Sequence, residues 1–155
     1  MTFNMYYRAR EVFPRIWIGS MADAASTEFM RAHNIGLIIN CTKDVPSSFA
    51  ATIPTYRIPL DDIESSSSTL YQYAPTISRE MWKHLDRTDT SILVHCAAGI
   101  SRSASMVASY LIIEYGYNVR NAIQFIRQRK PETFQPRLVF SSALALLHQN
   151  RMQNL

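Results

Sequence analysis

The stretch Ser91-Ile92-Leu93-Val94-His95-Cys96-Ala97-Ala98-Gly99-Ile100-Ser101-Arg102-Ser103 constrains the fold more than any other part of the chain. Ser91–Val94 is an uninterrupted apolar run of strand length, the kind covered on both faces. Residues 102–115 are apolar nearly all round, through Ala104, Met106, Val107, Ala108, Leu111 and Ile112, and predict a central buried helix stopped by Gly116. A buried strand that turns through a tight loop into a buried helix belongs in a sheet covered by helices. Ligands of such sheets sit beyond the carboxyl ends of the strands, and this loop lies at one such end.

The flanking sequence supports the same class. Arg15–Ile18 predicts a short strand closed by Gly19-Ser20, residues 21–33 a helix, and Leu37–Ile39 a buried strand. Thr55–Pro59 reads as an extended piece held between two prolines. Ser65–Ser68 reads as a loop, and Leu70–Leu85 has helical spacing with Ser68 or Thr69 as its cap. Asn118 caps a helix through Arg129, ended by Pro131, and Pro136 opens a last helix to about residue 149. The expected architecture is α/β: a central, mostly parallel, twisted sheet of four to five strands flanked by helices. The expected organisation is an N-terminal extension at 1–12, one folded domain at 13–150 and a tail at 151–155.

Composition narrows the function. The 155 residues are 47% hydrophobic and 18% charged, enough for one core without metals or disulfides. Thirteen of the sixteen basic residues are arginine, whose planar fork suits phosphate. The net charge of +4 fits an anionic substrate, but no basic run exceeds Arg129-Lys130, so nucleic acid is not an expected partner. Two cysteines, Cys41 and Cys96, exclude a disulfide scaffold and a cysteine-rich zinc module. No apolar run is long enough for a membrane span, and residues 1–12 lack a signal-like apolar stretch. The expected compartment is reducing, cytosol or nucleus.

The loop itself carries chemistry. If it curls around one point, the N–H groups of Ala97, Ala98, Gly99, Ile100, Ser101 and Arg102 form a nest for an anion, helped by the positive end of the next helix. The same field stabilises a Cys96 thiolate. Gly99 supplies positive φ or close backbone approach. Arg102 can return its guanidinium to grip two oxygens of a phosphoryl group. Ser103 can set a hydroxyl beside the sulfur, and Ala97 and Ala98 leave room for a ligand.

The pattern His-Cys-x-x-Gly-x-x-Arg-Ser, followed by Ala-Ser, resembles the cysteine-based protein phosphatases, and Cys-Ala-Ala-Gly-Ile-Ser-Arg-Ser resembles their compact dual-specificity branch. Pro14–Gly19, Ile38–Thr42, Tyr56–Asp62, Tyr110–Ile112 and Ala122–Pro131 are similar to further segments of that family, so the resemblance covers about Pro14 to Leu147. It implies two-step phosphomonoester hydrolysis through a phosphocysteine, with no metal or cofactor. Cys96 would be the nucleophile, Arg102 the phosphate grip, and Asp62, rather than Asp61, the general acid and base. His95 would sit buried at the strand end, hydrogen-bonded to backbone, ordering the loop and keeping the thiol ionised. Asn40 would brace the phosphate loop, and Cys41 would be a redox partner of Cys96. Lys130 and Arg137 would stand near the pocket mouth, with Arg137 where the family usually has Asn. His33, His84 and His148 read as surface histidines.

The expected substrate is a phosphorylated protein. A phosphoinositide or an RNA 5′-phosphate end is the alternative, disfavoured because Ala97, Ala98, Ile100 and Ser101 are uncharged. A phosphate-binding module without catalysis is disfavoured because Cys96, Arg102 and Asp62 are all present. Oligomeric state is not legible in the sequence.

Overall fold

A computed structural model describes residues 8–154. Its elements are β1 (Arg10–Phe13), β2 (Ile16–Gly19), α1 (Met21–Ala24), α2 (Thr27–Ala32), β3 (Ile35–Asn40), β4 (Thr55–Arg57), α3 (Ser67–Arg87), β5 (Ser91–His95), α4 (Arg102–Tyr115), α5 (Val119–Arg129) and α6 (Ser141–Gln153). The five strands form one sheet in the order β1-β2-β5-β3-β4. Strands β2, β5, β3 and β4 run parallel, and β1 pairs antiparallel with β2. The architecture is the expected α/β one.

Central strand β5 is buried along all five residues. Alternate side chains point to opposite faces, and the two cores follow that period. Ile92 and Val94, with Leu37 and Ile39 of β3, enter the larger core with residues of α3, α4, α5 and α6. Leu93 and Ile38 enter a smaller core with Ala24 and Met30 of α1 and α2. Each fully buried aliphatic side chain contributes about 1.5–3 kcal/mol relative to exposure, so both faces are held. Helix α4 lies centrally, with every residue from Ser103 to Ile112 buried. Gly116 ends it in a left-handed conformation, φ 75°.

Four sequence expectations change. Residues 10–12, placed in the extension, belong to β1, where only Val12 is buried. Residues 1–7 of that extension and Leu155 of the tail lie outside the described residues. The helix expected over 21–33 is two short ones, because Ser26 caps α2 by accepting from the Phe29 N–H at 3.0 Å. Ser65–Ser68 is not a loop: Glu64–Ser66 form a 3-10 turn that leads into α3 at Ser67. The last helix starts at Ser141 rather than Pro136, after the buried Phe140, and passes residue 150 to Gln153.

The register between β3 and β5 slips by one between Ile35 and Leu37, and then aligns Asn40 with His95. Gly36 sits at that slip, where an added Cβ would meet Thr90 Oγ1 at 2.0 Å and Thr90 Cβ at 2.7 Å. Gly36→Ala is therefore expected to lower stability by roughly 1–3 kcal/mol, read as a fall in the urea midpoint. An unchanged midpoint would contradict the assigned register.

Candidate active site

The loop from Cys96 to Ser101 starts at the carboxyl end of β5 and ends on the first turn of α4. Cys96 is 2% exposed. Its Sγ lies 3.2 Å from Ser103 Oγ and accepts the Gly99 N–H at 3.3 Å. The Gly99 N–H donates to the sulfur and the Ser103 hydroxyl lies within hydrogen-bond reach of it, and a charged acceptor gains more from such bonds than a neutral one. Among the described residues, no protein group accepts from the N–H of Ala97, Ala98, Ile100, Ser101 or Arg102. Backbone N–H groups in a partly buried loop are almost always paired, so this cluster is an anion site in waiting. Helix α4 adds to it. Ser101 at its N-cap makes no side-chain cap and the first turn holds no acidic residue, so the positive helix end is free to face an anion.

Neighbouring elements fix the loop. The Cys41 N–H donates to His95 O at 2.8 Å and the Cys96 N–H to Gly19 O at 3.4 Å. The Met21 N–H donates to Ala97 O at 2.9 Å and the Phe134 N–H to Ile100 O at 2.8 Å. Gly99 has φ 74°, and a Cβ there would meet Gly19 O at 2.8 Å. Both the conformation and the close approach require glycine.

Arg102 reaches out of α4 and donates Nη1 to Leu60 O at 3.1 Å. That bond holds the segment carrying Asp61 and Asp62 against the loop. The two carboxylates differ. Asp61 pairs with Lys43 Nζ at 2.7 Å; Asp62 is exposed and has no partner among the described residues.

His95 is buried, and its Nδ1 lies 3.3 Å from Cys96 O, the backbone contact expected of it. Burial holds its pKa below the ordinary 6.5, and the Arg57 charge adds to this. Burial thus favours the neutral ring. Stabilising an anion falls to amides, hydroxyl and helix.

Asn40 does not brace the phosphate loop. Its Nδ2 donates to Val45 O at 2.9 Å and Ser47 Oγ at 3.0 Å, and its Oδ1 accepts from Thr42 Oγ1 at 2.6 Å. Arg57 donates to the carbonyls of Thr42 and Val45. Together they shape the 42–47 loop, because Asn40 ends β3 with its amide turned into the chain that follows. Cys41 is fully buried one residue past the Asn40–His95 pair, so it flanks Cys96. Burial raises its thiol pKa well above the usual value, and the Cys96 charge adds to that, against a lowering by Arg102.

Lys130 does not stand at the pocket mouth. It is 0% exposed, with Nζ 2.7 Å from Glu132 Oε2. Arg137 is exposed. His33 stacks on Trp17 with centroids 4.0 Å apart, and His84 Nε2 bonds Thr90 Oγ1 at 2.8 Å, so neither is a free surface ring. Met21 and Phe134 were invisible in the sequence, since they act through backbone N–H groups that any residue type supplies. Among the described residues there is no cluster of His, Cys, Asp and Glu suited to a metal, and no helix is long and apolar enough to cross a membrane.

The family model described as the dual specificity phosphatase catalytic domain matches residues 16–150. The chain is 28% identical over 131 residues to mouse protein phosphatase Slingshot homolog 3, covering 80% of this chain and 19% of that one. It is 28% identical over 145 residues to the Drosophila melanogaster dual specificity protein phosphatase Mpk3, covering 88% and 34%. It thus spans between about a fifth and a third of the length of these curated relatives. A mouse protein described as a dual specificity phosphatase, solved with zinc tungstate, superposes with a TM-score of 0.84 at 25% identity, covering 94% of this chain and 89% of that one.

One buried and one half-buried imidazole set a pH dependence. His95 and His84, the latter also beside Arg15, both have folded pKa values below 6.5. Below about 6.5 the unfolded chain binds more protons than the folded one, so stability falls as pH drops and is fully present above that value. His95→Gln is expected to flatten this slope when urea midpoints are compared at about pH 5.5 and 7.5. An unchanged slope would show that His95 is not held neutral.

Proposed function

The chain belongs to the dual specificity phosphatase catalytic-domain family, and from that membership we propose that it hydrolyses phosphotyrosine and phosphoserine or phosphothreonine in proteins through a phosphocysteine. The observation that carries this reading is the sulfur of Cys96, hydrogen-bonded with Ser103 and Gly99 beneath loop amides that have no protein acceptor among the described residues.

The Cys96 thiolate attacks phosphorus in line with the ester oxygen. The S–P bond forms as the P–O bond breaks, and Asp62 gives its proton to the departing oxygen. Three non-bridging oxygens stay on the N–H groups of Ala97, Ala98, Ile100, Ser101 and Arg102 and on the Arg102 guanidinium, which leaves Leu60 O for the phosphoryl group, while the Gly99 N–H stays on the sulfur. Water then attacks phosphorus, Asp62 takes its proton, and the S–P bond breaks to release phosphate. Ser103 donates to the leaving thiolate. Asp62 suits the acid role because Lys43 already neutralises Asp61. The uncharged loop side chains favour a single phosphate on a protein over a polyphosphorylated headgroup or RNA end. The tungstate in the structure of the mouse relative is an oxyanion of the same shape as phosphate. Cys41 would act as a resolving thiol. Peroxide converts the Cys96 thiolate to a sulfenic acid with release of hydroxide, and the Cys41 thiol displaces water to form the disulfide.

Cys96→Ser is expected to abolish hydrolysis of an aryl phosphate. Asp62→Asn should lower kcat by roughly 10²–10⁴-fold on a substrate with a poor leaving group and remove one limb of the pH profile, while Asp61→Asn leaves it in place. The reverse pattern would transfer the acid to Asp61. Hydrolysis of phosphoinositides or RNA 5′ ends in preference to phosphopeptides would overturn the protein substrate. After limiting peroxide, non-reducing peptide mapping should recover a Cys41–Cys96 link; overoxidised Cys96 without that link would remove Cys41 from the account.

A further inference from the structure

We propose that Arg127 is a positioning residue for the phosphate loop: it clamps the Lys130–Phe134 turn so that the Phe134 N–H holds the Ile100 carbonyl outward and thereby turns the Ser101 N–H toward the anion. The proposal rests on the reading of Cys96–Ser103 as a phosphate site.

In a trans peptide the C=O and the next N–H point in opposite directions. Whatever grips the Ile100 carbonyl therefore aims the Ser101 N–H. That grip is the Phe134 N–H, 2.8 Å from Ile100 O. The Met21 N–H does the same to Ala97 O and so aims the Ala98 N–H. Between them the Gly99 N–H already points at the sulfur. The loop is preset by two backbone donors from outside it.

The first donor is held in an unfavourable conformation. Phe134 has φ 63°, a left-handed value that side chains other than Asn, Asp and Gly rarely adopt. Such a residue persists only where its surroundings over-determine it. Arg127 supplies the constraint from α5. Its Nε donates to Thr133 O at 3.2 Å, its Nη2 to Phe134 O at 3.1 Å, and its guanidinium lies 5.7 Å from the Phe134 ring centroid. The near side of the turn is closed by Thr133, which donates both N–H and Oγ1–H to Lys130 O, and by the Lys130–Glu132 pair. Among the described residues, every hydrogen bond of the turn is local except the one to Ile100. Arg127 touches neither the sulfur nor the anion, and its influence runs through that single hydrogen bond.

The test reads the loop directly. The rate of Cys96 alkylation by iodoacetate is followed against pH by peptide mapping, and tungstate binding by calorimetry, in the full chain. Arg127→Met is expected to raise the alkylation midpoint by about one pH unit and to weaken tungstate binding about tenfold, the scale of one misdirected hydrogen bond to an anion. Arg127→Lys should recover part of both, because an ammonium still reaches one carbonyl. Arg129→Met is the control, since among the described residues Arg129 hydrogen-bonds and stacks only on Phe125 of its own helix, and both readings should match the wild type. Thermal unfolding establishes that each variant is folded at the assay temperature; if Arg127→Met is not, the direction of the smaller Arg127→Lys shift decides. A folded Arg127 variant with wild-type midpoint and tungstate affinity would overturn the proposal. A wild-type chain that binds no tungstate would overturn the phosphate-site reading, and this proposal with it.

Discussion

A group of backbone N–H donors with no protein acceptor among the described residues, gathered at the end of β5 around one sulfur, is the constraint on which the rest of the structure depends. Unpaired donors in a partly buried loop are costly, each by about 1–3 kcal/mol. In the proposed reaction an oxyanion in the bowl, or a thiolate beneath it, would supply the missing acceptors, so the same groups would favour a charged sulfur and a bound phosphoryl group.

The surrounding fold keeps that loop from collapsing onto itself. Parallel strands on both sides of β5 fix where it ends, and the N–H groups of Cys41, just past β3, and of Met21, at the start of α1, take the carbonyls of His95 and Ala97 away from the bowl. Gly99 lies so close to Gly19 that the loop has one path past β2. Helix α4, buried along its length, fixes the other end. The 42–47 loop, shaped by Asn40 and Arg57, carries Lys43 to Asp61 and leaves Asp62 unpaired among the described residues. Charge at the site comes from Arg102 and oriented amides; burial pushes the neighbouring imidazole toward its neutral form, and its Nδ1 meets the Cys96 carbonyl.

The part of this arrangement that lies within one short segment was legible in the sequence. Cys96, Gly99, Arg102 and Ser103 are specified by residue type and spacing, and the buried strand and helix beside them by apolar runs. Parts built from long-range backbone contacts were not. Met21 and Phe134 contribute N–H groups, which leave no mark in composition. Lys130 reads as a surface charge until its partner two residues on is known to fold back on it. Asn40 was assigned to the wrong loop because its position at a strand end does not say which following segment its amide will meet. Strand β1 has one buried residue in four, too little alternation to register as a strand. Helix α6 starts late because Pro136 could open either a helix or a turn, and the burial of Phe140 decides for the turn.

The most direct measurement is a crystal structure of the chain grown with tungstate or vanadate. The account predicts the oxyanion in the bowl above Cys96 Sγ, with its oxygens on the N–H groups of residues 97–102 and the Arg102 guanidinium. A bowl that stays empty at saturating oxyanion, or an Arg102 side chain directed away from a bound one, would contradict it.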